Sequence, residues 1–247
     1  MIIMTKLKLL TLFSLLFIGS VSFALSKENK NTDPFSPSSN IAWDAAQLNF
    51  VKSGDAKKGE TLNKEKMCSL CHGNKGISNG RNWPNLAGQL ANYTFKQMRD
   101  YKDNNREDSN PSSMMSMLAN QLTDKEIADL AIYYSSLPLP EKQDEISLNS
   151  QIKEIIPLIK RGDGSRMLPA CLSCHGAKAQ GTLMDIPALA GQKAVYFKKT
   201  MNEFKNTVRH NDIYSRMRII AKTLTDDEID ALTEYFATVY KYSDLEN

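Results

Sequence analysis

Two short stretches of the sequence place thiols and an imidazole at helical spacing. One reads MCSLCHG at residues 67–73, and the other reads ACLSCHG at residues 170–176. Each contains two cysteines three positions apart with a histidine directly after the second: Cys68, Cys71 and His72, then Cys171, Cys174 and His175. Because residues i, i+3 and i+4 share one face of a helix, the three side chains of each stretch point the same way.

Two thiols and an imidazole on one helical face suit the covalent attachment of haem. The thiols can form thioethers with two vinyl groups, and the imidazole then reaches the iron from the same side. A thioredoxin-type redox pair would follow a strand, and no strand pattern precedes either stretch. A zinc ribbon would bring its cysteine pairs within about 15 to 20 residues of each other, whereas these pairs are far apart. We therefore predict two covalently bound haem c groups.

The two stretches belong to an internal duplication. PNLAGQ at 84–89 matches PALAGQ at 187–192 with the same offset as the cysteines. LTDKEIADLAIYY at 122–134 matches LTDDEIDALTEYF at 224–236 after the loss of one residue. Three blocks in the same order predict two similar domains in tandem.

Composition and linker chemistry set the domain limits. We assign residues 52–137 to the first domain, 138–150 to a polar, proline-opened linker, and 151–247 to the second domain. The net charge of +3 over 247 residues, with no basic run, argues against nucleic acid as a partner.

The elements that must position these groups have helical patterns. Each repeat ends on a capping box followed by apolar residues at helical spacing, Thr123 with Glu126 and Thr225 with Glu228. NYTFKQMRDYK and VYFKKTMNEFK predict a further helix pair, and no alternating strand pattern is evident. The fold class is therefore all-α.

Methionine is the expected ligand at the second axial position of each iron. The chain has three histidines and two stand in the CxxCH stretches, so one histidine is left for two irons. Met115 and Met217 each precede a capping threonine by eight residues. Met98 and Met201 also align, but they fall inside a predicted helix, where methionine usually fills the core. We favour Met115 and Met217, and a slip within SMMSM stays open.

Two prolines are candidates for holding the histidines. A ligating histidine needs its other ring nitrogen bonded, and the carbonyls of Pro84 and Pro187 could accept that bond. From the residues alone, plain turn prolines explain these positions equally well.

The first 24 residues have the layout of a secretory signal peptide. Lys6 and Lys8 precede an apolar stretch, and small residues place cleavage after Ala24. An uncleaved anchor is the alternative, because the apolar run extends to Leu25 and, at about 17 residues, reaches the lower limit for a membrane span. A polar extension, residues 25–51, follows. We expect an exported, periplasmic protein, and in that compartment haem attachment also accounts for the use of all four cysteines.

With CxxCH, PxLAGQ and MxxxAxxLT in this order twice, the sequence resembles the cytochrome c4 family of exported, two-domain dihaem cytochromes c. The resemblance implies two class I cytochrome c folds, each wrapped around one covalent haem. It implies that His72 and His175 are the proximal iron ligands and that Met115 and Met217 are the distal ligands. It also implies that the carbonyls of Pro84 and Pro187 hold the two histidines. The linker and IKEIIPLIKRGDGSR depart from the family pattern.

The family resemblance also implies a function. It indicates single-electron transfer between membrane respiratory complexes, toward a terminal oxidase. We expect a carrier and not an enzyme, because a methionine in both repeats fills the position that a dihaem peroxidase would keep open. The cytochrome subunit of a dehydrogenase with a flavoprotein partner is the alternative. Peripheral association with the membrane is left open.

Overall fold

The computed structural model describes residues 43–106, 114–142, 148–182 and 184–241. The predicted signal peptide and most of the polar extension lie outside these ranges. The first half contains α1 (Ala45–Lys52), α2 (Ala56–Glu65), α3 (Cys68–His72), α4 (Ala91–Lys102), α5 (Met114–Asn120) and α6 (Asp124–Ser136). The second contains α7 (Ser150–Arg161), α8 (Cys171–His175), α9 (Ala194–Lys205), α10 (Arg216–Thr223) and α11 (Asp226–Thr238).

Helices dominate, and the two halves have separate hydrophobic cores. The strands among the described residues are two short ones, β1 (Glu141–Lys142) and β2 (Tyr240–Lys241), which pair antiparallel and join the linker to the end of the second domain. Within the described ranges, no helix combines the length and the apolar character that a membrane crossing requires.

The predicted capping boxes are both confirmed. Thr123 begins α6 and Thr225 begins α11; each threonine hydroxyl accepts a bond from a glutamate backbone N–H, and the glutamate side chain reaches back to the threonine N–H. The predicted helix pair is confirmed as α4 and α9, of 12 residues each. These local signals fix the ends of the helices around which each core forms.

In the first domain, α2 crosses α6 at a glycine. A Cβ atom on Gly59 would lie 2.1 Å from the carbonyl oxygen of Asp129 and 2.6 Å from Cβ of Tyr133. The absence of a side chain at this position therefore allows the two helices to approach closely. The Asp129 carboxylate also accepts a 2.7 Å bond from the N–H of Asp55, just before α2.

The second domain lacks this crossing. Gly54 and Asp55 precede the ten-residue α2 of the first domain, whereas the corresponding Gly162 and Asp163 precede a 3-10 turn at Gly164–Arg166. Helix α7 packs against α11 instead, with Ile152, Ile155 and Ile159 buried in the core. The segment that departs from the family pattern in sequence thus supplies a different core-forming helix.

The two glycines provide a matched test of this difference. Gly59→Ala should lower the free energy of unfolding of the first domain by about 2 kcal/mol, because the helices must separate to admit the methyl group. Gly164→Ala should change stability by less than about 1 kcal/mol, since a Cβ there meets nothing within 4 Å. Denaturant unfolding of the holoprotein measures both, and equal effects would contradict the assignment of Gly59 to a tight crossing.

The two halves belong to one compact unit and meet through paired glutamines. The Gln89 amide donates to the carbonyl of Ala188 at 3.1 Å and accepts from its N–H at 2.9 Å. The Gln192 amide does the same with the backbone of Asn85, at 3.1 and 2.9 Å. Both glutamines end a PxLAGQ block, so each block forms hydrogen bonds with the backbone of the other.

Two arginines at matching positions of the repeat extend this interface. Arg106 donates to the hydroxyl of Tyr196 and Arg209 to that of Tyr93, both at 3.1 Å. The two arginines are 4% and 2% exposed. Such buried guanidinium groups need well-placed acceptors, so the geometry of one half depends on the other.

Gln97 breaks the symmetry of this arrangement. Its amide oxygen accepts bonds from Arg106 at 2.8 Å and from Arg209 and Asn211 at 2.9 Å. Thr200 occupies the aligned position in the second repeat. A single side chain of the first domain thus satisfies donors from both halves.

Gln97→Leu should lower the free energy of unfolding by about 3 kcal/mol, because it removes the shared acceptor of three buried donors. The loss should separate the unfolding of the two halves in calorimetry. Gln121→Leu is the control, since Gln121 is exposed. A Gln97 variant as stable as the control would show that the shared acceptor is not important for the interface.

Candidate functional site

Each CxxCH stretch forms a helix of five residues that carries its own reactive groups. His72 and His175 end these helices and are 7% and 6% exposed. Cys174 is exposed, and the other three cysteines are half-buried. In the unmodified thiols, burial raises the pKa of Cys68, and that of Cys171 to about 11.

Both histidines are held by a proline carbonyl. Nδ1 of His72 lies 2.9 Å from the Pro84 oxygen, and Nδ1 of His175 lies 2.8 Å from the Pro187 oxygen. Because a carbonyl only accepts, Nδ1 carries the proton and the lone pair is on Nε2. Burial lowers the pKa of both imidazoles, which favours this neutral form.

Further bonds pin the loop between each histidine and its proline. In the first repeat, the Ser78 hydroxyl donates to the carbonyl of Cys71 at 2.8 Å, and the Ser78 N–H donates to the Asn85 side chain at 2.9 Å. In the second, the Thr182 hydroxyl donates to the carbonyl of Cys174 at 2.7 Å. The loop that places each proline is therefore tied to the helix that carries the cysteines.

The favoured methionines occupy equivalent places. Met115 is the second residue of α5 and Met217 is the second residue of α10. Both are half-buried, and Met217 packs against the core of its domain.

The other methionines differ in their surroundings. Met201 is 6% exposed within the second core, and Met98 packs against the first core. Met114 and Met117, the neighbours of Met115, are 61% and 56% exposed. Met98 and Met201 thus serve as core side chains, as expected for methionine within a helix.

The donor set of each repeat fits a c-type haem. Two thiols on one face of a short helix, a neutral imidazole with its lone pair on Nε2, and a thioether at a helix start provide the attachment points and both axial ligand types.

The comparison with known proteins agrees with this chemistry. The family described as Cytochrome c matches residues 56–138 and 162–239, one segment in each repeat. Cytochrome c4 from Thiocapsa roseopersicina is 34% identical over 194 residues, which covers 78% of this chain and 96% of that relative. The chain belongs to the cytochrome c4 family.

Solved and curated relatives extend the match. The structure of reduced recombinant cytochrome c4 from Pseudomonas stutzeri aligns with a TM-score of 0.66 at 30% identity, over 76% of this chain and all of that one. A protein named thiosulfate dehydrogenase electron acceptor, from Stutzerimonas stutzeri, is 34% identical and covers 70% of this chain and 78% of its own. Membership of the family confirms the predictions of two cytochrome c domains, two covalent haem c groups and electron transport.

Several residues around the site were not found from the sequence. Ser78 and Thr182 lie in glycine-bearing loops without a motif, and Asn85 has Ala188 as its partner in the repeat. Arg106 and Arg209 do align, at the point where one residue is lost. Their alignment was the available signal, but it did not indicate that both are buried.

Removing one pair of thiols tests whether the two sites load independently. The double variant Cys68→Ala/Cys71→Ala should lose one covalent haem and keep the other, because α8 and its loop form from their own local contacts. Intact mass and pyridine haemochrome absorbance measure the haem content. Cys171→Ala/Cys174→Ala is the matched control and should also leave one haem. Loss of both haems in either variant would contradict independent loading.

Proposed function

We propose that this chain is a periplasmic dihaem carrier that passes single electrons between membrane respiratory complexes, toward a terminal oxidase. The observation that carries the proposal is the duplicated donor set: a neutral histidine held by a proline carbonyl and a methionine at a helix start occur once in each repeat. Export rests on the sequence pattern of residues 1–24.

Each site follows from this donor set. Cys68 and Cys71 would attach one haem, and His72 and Met115 would bind its iron. Cys171, Cys174, His175 and Met217 would form the second site in the same way. When bound, each haem supplies an iron that gains and loses one electron.

The protein groups tune and protect these irons. The carbonyls of Pro84 and Pro187 accept the Nδ1 protons, which orients each ring and makes Nε2 a better ligand. A thioether favours ferrous over ferric iron, so methionine ligation raises the potential. With a histidine and a methionine on each iron, neither site would keep a position open for a substrate, which supports a carrier over a dihaem peroxidase.

A second function is favoured by the comparisons. Relatives from Stutzerimonas stutzeri and Thiomonas intermedia, 34% and 32% identical, are named as electron acceptors of thiosulfate dehydrogenase. In this alternative the chain receives electrons from a dehydrogenase, as a subunit or as a partner in solution. The duplicated site serves both functions equally.

Reoxidation by membranes separates the two functions. The reduced holoprotein, mixed with membrane vesicles from its host, should be oxidised in an oxygen-dependent reaction that cyanide blocks. Under the alternative, a dehydrogenase should co-purify with the chain and reduce it when its substrate is added. Absence of oxygen-dependent oxidation, with intact haem spectra, would contradict delivery to a terminal oxidase.

The methionine assignment predicts a separate effect at each iron. Met115→Leu should lower the midpoint potential of one haem and leave the other near its original value, because leucine cannot ligate iron. Met217→Leu should affect the other haem. A spectroelectrochemical titration resolves the two. Met98→Leu is the matched control, and a lowered potential in that variant would move the ligand assignment to Met98.

A further inference from the structure

The second domain holds the start of α10 with a buried ion pair. Nε of Arg218 donates to Oδ1 of Asp212 at 2.7 Å, and the backbone N–H of Arg218 donates to Oδ2 at 2.9 Å. The two side chains are 2% and 5% exposed. One carboxylate therefore binds both the side chain and the main chain of the residue directly after Met217.

The turn that this ion pair closes is strained. Tyr214 and Ser215 have φ values of 56° and 55°, so two successive residues with side chains adopt the left-handed conformation. Ser215 is fully buried. Such a conformation persists where surrounding contacts determine it, and it concentrates at functional sites. Here the closing contact is the bond between Asp212 and Arg218.

A second ion pair ties the same turn to the histidine side. Nη2 of Arg216 donates to both carboxylate oxygens of Asp185, at 2.8 and 2.9 Å. Asp185 stands two residues before Pro187, whose carbonyl lies against His175. The loop that carries Pro187, against which His175 lies, is thereby joined to the start of α10, which carries Met217.

The aligned positions of the first repeat carry none of these charges. Met114 aligns with Arg216, Ser116 with Arg218, Asn82 with Asp185, and either Ser109 or Asn110 with Asp212. The two repeats therefore share the proposed ligands, but the charges of these two ion pairs belong to the second repeat.

We propose that Asp212 and Arg218 are positioning residues that hold Met217 against displacement, so that exogenous ligands replace the methionine of the first site before that of the second. This inference rests on the proposed ligand roles of Met115 and Met217. A buried ion pair adds little net stability on average, and its better-attested effect is to fix one arrangement.

Imidazole is the probe, because it competes with methionine for ferric iron. The oxidised holoprotein is titrated while the weak red absorbance band of methionine-ligated ferric haem is followed. The band should fall in two equal steps. Met115→Leu should remove the step at low imidazole, and Met217→Leu the step at high imidazole. If imidazole instead displaced Met217 before Met115, the proposal would be overturned, even before any Asp212 variant is made.

Asp212→Asn then tests the ion pair itself. The high-imidazole step should move about tenfold lower, the factor expected for one lost charge-assisted hydrogen bond, while the other step stays in place. Because Asp212→Asn removes one charge of a buried pair, the double variant Asp212→Asn/Arg218→Gln, which keeps hydrogen-bonding groups, should give the same shift. Asp230→Asn, at an ion pair with Lys198 on the surface of the same domain, is the control.

The outcomes distinguish the ligand role of Met217 from the positioning role of Asp212 and Arg218. If Met217→Leu leaves the red band intact, the ligand assignment is wrong and the proposed function needs revision. If Met217→Leu removes half of the band but both Asp212 variants titrate like Asp230→Asn, with unchanged helical circular dichroism, the ligand stands and the positioning role is refuted.

Discussion

One hydrogen bond in each repeat determines what the site can do. The histidine ring donates from Nδ1 to a proline carbonyl, which fixes the tautomer, the ring orientation and the nitrogen left to bind metal. The bond forms only if a loop returns the proline to the short helix that carries the cysteines. Ser78 in one repeat and Thr182 in the other tie that loop to the carbonyl of the second cysteine. Cysteine spacing, loop and proline therefore act as one unit.

Duplication of this unit creates an interface from parts that each repeat already has. The glutamine that ends each PxLAGQ block binds the backbone of the other block. The interface lies directly beside the prolines that hold the histidines. A disturbance of the contact between domains would therefore reach both histidines through a few residues of backbone.

The parts predicted from the sequence are those specified locally. Capping boxes, the helical pattern of α4 and α9, and the CxxCH helices depend on neighbours within four residues. The contact of Gln97 with Arg209 and Asn211 joins residues more than 100 positions apart, and no periodic pattern reports it. The left-handed turn at Tyr214 was equally hidden, because neither it nor Ser215 is a residue that usually marks such a conformation. In the second domain, α7 takes the place of the helix crossing found in the first domain. The sequence signalled this only indirectly, because the residues before Gly162 depart from the family pattern.

The proposed carrier function requires that the protein fill both axial positions of each iron. Carbon monoxide added to the purified, dithionite-reduced protein at neutral pH tests this most directly, because it binds ferrous haem only where a position opens. An unchanged visible spectrum is the predicted result and means that both methionines stay bound. A shift of about half of the haem absorbance would contradict the account, since one site would then be open to ligands and an enzymatic role would become the better explanation.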